Sequence, residues 1–430
     1  MILTVEEKRM LNGEKSSGEQ LSMVWLKKYG EAFDAEKMAK VDIVHMSTNV
    51  PLNLIDQMTE GLTHIKTPCS LHAVFNPTYW REKYDVVGNK DQLIGGLATA
   101  DEEEFSQVIN AFKRIGCIPC FTCVPYAVGF VLRQNDIFLG TGSSGQIVAN
   151  SIFAARAGRD STVTAFASAI TGVTPYMGLL IKENRYAEVL IEVEGINFDK
   201  FTNADYGALG YYIGEVAGSR NVVISGLPHT ISLEKCKFLM STIPVFSGCT
   251  MCHIVGVTPE APTLKAALGG KKPQEVVKVG KKEIEDICGN LTNAEDENVD
   301  LVAIGCPHCL ISELKEIASL LKGKRVDRDV HLVIATANST YALAKDAGYA
   351  DIIKKAGAIV SNICVSVVNP FIFIEGARVV ATNSARAAYY IQRLAGGKTK
   401  VFYGEIDKCI NSAITGKWRG KDDIERAHDK

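Results

Sequence analysis

Apolar and polar positions alternate most clearly from Asp300 onward. There the runs Leu301–Ile304, His331–Ile334, Ala358–Val360, Val379–Ala381 and Val401–Tyr403 are separated by segments of helical periodicity. That rhythm predicts a parallel α/β sheet. Upstream, two amphipathic helices are expected near Val5–Leu11 and Gly18–Tyr29, then a short strand at Val41–His45. The acidic run Asp101–Glu104 opens a helix reaching Ile115, with its carboxylates at the positive end of the helix dipole. From Cys117 to about Gly218 the chain is rich in Gly, Ala and Ser. Here Gly140-Thr141-Gly142-Ser143-Ser144-Gly145 precedes a small-residue helix expected from Ile147 to Ala157. These changes of pattern divide the chain into a helix-rich region 1–115, a Gly/Ser-rich α/β region 116–285 and a C-terminal α/β domain 286–430. The lysine-rich stretch Gly269–Lys282 reads as a solvated boundary. A chain of 430 residues exceeds the size at which single cores stop growing, which agrees with several domains.

Ligands of parallel sheets gather beyond the carboxyl ends of the strands. The segments that follow the predicted C-terminal strands are Cys306-Pro307-His308-Cys309, Thr336-Ala337-Asn338-Ser339, Asn362-Ile363-Cys364 and Thr382-Asn383-Ser384. One rim of the sheet is therefore expected to carry thiols, hydroxyls and amides, beside helix N-termini able to bind an anion.

Composition narrows the function classes. Lys plus Arg (47) nearly balance Asp plus Glu (49), so no global field draws in nucleic acid or an anionic membrane. The first residues lack the apolar core of a signal peptide, and no run of about 18 apolar residues follows. The expectation is a cytoplasmic protein with neither nucleic-acid nor membrane partner.

Twelve cysteines in such a chain point to metal or thiol chemistry more than to a disulfide framework. Cys117, Cys120 and Cys123 form a C-x-x-C-x-x-C run whose spacing suits an iron–sulfur cluster, though the Cys-Pro that closes the bacterial ferredoxin motif is absent. Cys249/Cys252 and Cys306/Cys309 are C-x-x-C pairs, compatible with zinc or with redox thiols. His253 and His308 stand beside cysteines as ligands, proton carriers or plain loop residues. The glycine loop at 140–145 lacks the Gly-Lys-Ser/Thr ending of a P-loop. Arg156 and Arg159, about one helical turn apart, are spaced to face a common anion, a spacing also common on solvated surfaces.

Taken in order, Leu3-Thr4-Val5-Glu6-Glu7, Leu11-Asn12-Gly13-Glu14, Cys123-Val124-Pro125-Tyr126, Ala149-Asn150-Ser151, Ala155-Arg156 and Ala169-Ile170-Thr171-Gly172 resemble the large subunit of the aconitase X family. So do Asp205–Gly210, Gly256–Ala261, Gly305–Cys309 and Thr382–Ala385. The resemblance covers nearly the whole chain and implies an α/β, aconitase-superfamily-like multi-domain architecture with parallel sheets. It implies a hydro-lyase whose iron–sulfur cluster, [4Fe-4S] or [2Fe-2S], is held by Cys123, Cys306 and Cys364. It also implies a separate small subunit, a swivelling domain that supplies the base, and a small hydroxy-acid substrate. The sequence departs from the family's pattern at Gly142, where many members carry an acidic residue, and at Arg386, where a lysine is frequent.

On that reading Arg156, with Asn150, Ser143 and Ser144, fixes the substrate carboxylate or phosphate, and His308 and Ser384 are the proton carriers within this chain. Cis-3-hydroxy-L-proline is the expected substrate and mevalonate 5-phosphate the alternative. An iron–sulfur electron carrier or sensor, which would use a fourth protein ligand, is the alternative outside the enzyme class.

Overall fold

The computed structural model describes residues 1–73, 102–365 and 378–418. Asp101, part of the expected acidic helix start, lies outside the described residues. The helix itself runs Glu102–Arg114.

Local chemistry sets the helix starts. Thr4 and Glu7 form a reciprocal capping box at Val5–Leu11, Ser16 caps Ser17–Ala32, and Thr202 with Asp205 caps Asn203–Ala217. The helix expected at Ile147–Ala157 instead occupies Ser143–Ser151. It starts earlier because Gly142 serves as a cap without a side chain, and it ends where Ala154 takes a positive φ of 50°.

Four sheets organise the described residues. Cys69–Leu71, Ile43–Met46 and Phe138–Gly140 form a parallel three-stranded sheet, with a two-stranded antiparallel pair, Met38–Lys40 and Val173–Pro175, beside it. The three-stranded sheet draws strands from both sides of the boundary expected between 115 and 116, because two of its three strands are three residues long and leave little apolar pattern. A second parallel sheet has the order Cys252–Ile254, Val222–Ser225, Val189–Val193, Glu275–Val279. The third has the order Ile359–Ser361, His331–Thr336, Leu301–Cys309, Val379–Thr382, Lys400–Tyr403, all parallel. Its five strands are those predicted.

The central strand Leu301–Cys309 is buried at every position, as a parallel strand covered on both faces requires. Its pairing is broken between Ile304 and Cys309, so the segment expected as a loop after the strand is an irregular part of the strand itself. Gly305 makes this possible: its φ is 101°, and a Cβ there would sit 2.2 Å from the Ala335 carbonyl oxygen. Glycine also lets the helices Asn203–Ala217 and Leu233–Thr242 touch backbone to backbone, since a Cβ at Gly210 would lie 2.3 Å from the Leu239 carbonyl oxygen.

Candidate active site

The carboxyl ends of two parallel sheets open onto one cavity of about 610 Å³. From the three-stranded sheet come Ser47, His72 and Thr141, each one residue beyond its strand. From the five-stranded sheet come Cys364 and Arg386, which follow its first and fourth strands in spatial order. Two helices begin here as well, Ser143–Ser151 and Thr162–Thr171, and Ser143, Gln146, Arg159, Asp160, Ser161 and Thr162 complete most of the wall. Their N-terminal N–H groups favour an anionic ligand.

Cys364 lines this cavity, and two more buried thiols, Cys123 and Cys306, lie near it in the fold. Burial pushes the Cys123 thiol up to about 12, and the charges of Cys364 and Cys306 push in the same direction, so the three sulfurs lie within electrostatic reach of one another. Cys123 Sγ accepts a hydrogen bond from the backbone N–H of His308 at 3.2 Å. Burial works against the charge of Arg386, but Cys306, Tyr390, Cys364 and Cys123 hold its pKa above the ordinary value. Arg386 donates to Ser143 Oγ at 3.4 Å and to the Ser241 carbonyl at 3.3 Å, with its guanidinium 5.2 Å from the centre of the Tyr390 ring. Buried polar atoms with no hydrogen-bond partner lie in the flanking chain segments: His308 Nδ1, Asn362 Oδ1, and both Asn383 Oδ1 and Nδ2. Among the described residues no three His, Cys, Asp or Glu side chains make a ready site for a metal ion. Cysteine thiolates are the groups that hold an iron–sulfur cluster, and a free donor such as Asn383 Nδ2 is the kind of group that hydrogen-bonds to cluster sulfur.

The strand segment bearing Cys306 is braced from behind. Lys237, with no exposed side-chain surface, pairs with Glu313 and donates to the carbonyls of His308 at 3.1 Å and Pro307 at 3.5 Å. Glu313 in turn accepts from the Leu310 N–H at 2.8 Å.

The expected site residues divide. Cys364 and Ser143 line the cavity, and Ser144 is buried in the same helix turn. Arg156 does not reach it: its guanidinium donates to Asn135 Oδ1 at 2.9 and 3.2 Å and to the Leu180 carbonyl at 2.8 Å. Asn150 is fully buried and holds the backbone of Ala157 and Thr250 while accepting from Arg185. Of the groups expected around the substrate carboxylate, Ser143 lines the cavity while Arg156 and Asn150 are engaged elsewhere, and the arginines that line it are Arg386 and Arg159.

Ser384 caps the helix Ala385–Leu394 by accepting from the Ala387 N–H, and its hydroxyl donates to the Cys306 carbonyl. Both functions occupy it, which leaves it a positioning group more than a proton carrier. His308 donates through Nε2 to the Ile363 carbonyl at 3.0 Å, and burial depresses its pKa to about 3, so it stays neutral and a weak base.

His72, Asp160 and Thr141 were not singled out from sequence. Strand Cys69–Leu71 is too short to display a period, and one aspartate in a loop carries no pattern. Elsewhere, the Cys69 thiol on its strand is hydrogen-bonded with that of Cys117, Cys120 donates to the Leu71 carbonyl at 3.3 Å, and Cys309 packs in the core of the five-stranded sheet. The spacing of 117–123 therefore does not describe one site.

Family models match in three consecutive pieces, the aconitase X first domain over residues 1–183, the second over 187–289 and the third over 299–415. The first and third of these units close the cavity that holds Cys364, Arg159 and Arg386, and the family they define makes this chain a dehydratase, a hydro-lyase. It is 26% identical over 96% of its length to cis-3-hydroxy-L-proline dehydratase of Hypocrea jecorina, covering 69% of that protein. It is 30% identical over 95% of its length to the phosphomevalonate dehydratase large subunit of Methanocaldococcus jannaschii, covering 99% of it. The crystal structure of Thermococcus kodakaraensis aconitase X in its holo-form superposes with a TM-score of 0.81 at 25% identity, over 96% of this chain and 100% of that one. The chain belongs to the aconitase X family. Membership in a family of dehydratases sets aside the electron-carrier alternative. Among the described residues no helix is long and apolar enough to cross a membrane.

Proposed function

We propose that this chain is the large subunit of a cis-3-hydroxy-L-proline dehydratase, working with an iron–sulfur cluster on Cys123, Cys306 and Cys364 and with a small swivelling-domain subunit in the cytoplasm. The observation that carries the proposal is that these three thiols lie within electrostatic reach of one another and of Arg386, with Cys364 and Arg386 lining one polar cavity. The chemistry such a cluster supplies is Lewis acidity, which weakens a carbon–oxygen bond.

The chain's own residues do the rest. Arg386 orients the substrate carboxylate, with Ser143 and the first N–H groups of the helix Ser143–Ser151 beside it. Ser47, Thr141 and Thr162 offer hydroxyls around the remaining polar atoms. Ser384 and Lys237 fix the backbone that carries Cys306 and His308. Removal of the carbon-bound proton falls to a base on the small subunit, a serine by superfamily analogy.

The charge in the cavity favours an amino acid over a phosphorylated acid. Its wall carries two arginines, of which Arg159 is exposed, and one carboxyl, Asp160. A phosphate recruits several charge-assisted donors, and a second carboxylate on the same molecule would need more. Mevalonate 5-phosphate remains the second reading because both arginines do face the cavity and a relative of that activity is 30% identical.

The test uses the chain reconstituted anaerobically with its small subunit. Each of Cys123→Ser, Cys306→Ser and Cys364→Ser is expected to lose the iron–sulfur absorption and dehydration together. Retention of a full cluster in Cys364→Ser with loss in Cys120→Ser would place the cluster on the 117–123 run instead. Turnover of mevalonate 5-phosphate with none of hydroxyproline overturns the substrate and leaves the hydro-lyase standing.

A further inference from the structure

Loss of water requires two proton movements. The carbon-bound proton leaves to a base, its electron pair becomes the new double bond, the carbon–oxygen pair departs with the oxygen, and that oxygen must gain a proton to leave as water. A residue for the first movement lies on another polypeptide in the reading above. The second needs a proton donor inside this cavity.

We propose that Asp160 is that donor, the group whose proton passes to the departing hydroxyl. The inference rests on the dehydratase reading but not on the choice of substrate. Asp160 lines the cavity with Cys364 and Arg386, and its Oδ2 is buried without a hydrogen-bond partner. Room for the carboxyl comes from Gly158, where a Cβ would lie 3.3 and 3.4 Å from its two oxygens. The charged and titratable groups around it are few. Arg159 precedes it in the chain, and Tyr29 of the helix Ser17–Ala32 is held above its ordinary pKa by burial and then by the Asp160 charge. His72, Arg386 and Cys364 line the cavity with it. No cation pairs with the carboxyl among the ion pairs of the described residues, and burial raises its pKa to about 7. A carboxyl so placed carries a proton at neutral pH for a useful fraction of the time and loses it easily, which is what a general acid must do.

The other acids of the cavity fit the task less well. Burial holds His72 near 4, so it has no proton to give at neutral pH, and Arg386 holds its protons too tightly. After transfer Asp160 is left as carboxylate. It regains a proton from solvent as the small-subunit base releases the one taken from carbon, so the cycle closes with one water lost and no net proton.

The complex should be assayed with cis-3-hydroxy-L-proline and with mevalonate 5-phosphate, as wild type, Asp160→Asn and Asp160→Glu. In Asp160→Asn kcat is expected to fall about 10²- to 10⁴-fold, with KM and the cluster absorption little changed and part of the rate restored in Asp160→Glu. Wild-type kcat should decline as pH rises through about 7, and this limb should vanish in Asp160→Asn. Infrared titration of the chain labelled with ¹³C-aspartate gives a second readout, a carboxyl titrating near neutrality in wild type and missing in Asp160→Asn. An active wild-type complex whose Asp160→Asn variant keeps its rate and its alkaline limb overturns the proposal, as does the absence of that carboxyl from the wild-type titration. A wild-type complex that turns over neither compound fails the substrate readings above while the infrared result still decides whether Asp160 holds a proton.

Discussion

Replacing Lys237 by Met should destabilise the chain strongly, and the structure says why. Its ammonium has no exposed surface, pairs with Glu313 and holds two carbonyls of the Cys306–His308 segment. Met fills much the same volume but leaves the Glu313 carboxylate buried, with Oε1 already unpartnered. Removing one member of a buried pair costs about 3–5 kcal/mol, because the surviving charge keeps its desolvation penalty without compensation. Against a typical net stability of about 5–15 kcal/mol, that is roughly a fifth of the total or more. Urea unfolding followed by circular dichroism should move to a lower midpoint with an unchanged slope. The double variant Lys237→Met with Glu313→Leu should recover most of the loss, since it removes both charges. A single variant within about 1 kcal/mol of wild type, or a double variant no better than the single, would refute the reasoning.

Two further outcomes are expected. Asp160→Asn should stabilise the chain at alkaline pH and not at acid pH. The carboxyl's pKa lies near 7 when folded against about 3.9 unfolded, so its favourable share is complete below the unfolded value and is lost as pH rises through the folded one, amounting to about 3–4 kcal/mol by pH 8. Denaturant midpoints that track wild type at both pH 4 and pH 8 would contradict that linkage. Arg386→Gln should raise KM for the substrate about tenfold or more, the loss of one charge-assisted pair of about 1.5–3 kcal/mol, whereas Arg156→Gln should leave KM unchanged; the reverse result in steady-state assays would restore the assignment from sequence.

What the sequence disclosed follows from what leaves a periodic trace. The five C-terminal strands have largely apolar cores and are separated by helical segments, so their existence and parallel sense could be read directly, whereas their spatial order leaves no trace in the pattern. Strands Cys69–Leu71 and Phe138–Gly140 are three residues each, too short for a period, and with them went His72 and the true boundary of the first sheet. Arg156 and Arg386 look alike in sequence. Only folding reveals that Asn135 and the Leu180 carbonyl have already engaged one, while the other stands among thiols. Asn150 shows the converse, a polar residue expected at a ligand that spends every hydrogen-bonding group on backbone and Arg185.

The shared cavity also dictates an order of events during synthesis. Its wall begins at Ser47 and is not finished until Arg386 has been made, with the two contributing sheets far apart along the chain. Closing so long a loop is slow relative to forming local structure. An emerging chain can therefore complete its first sheet and its helices while still on the ribosome, yet it possesses no pocket. The wall of the cavity is complete only once Arg386 has joined Ser47, so a fragment that stops short of Arg386 lacks a finished pocket.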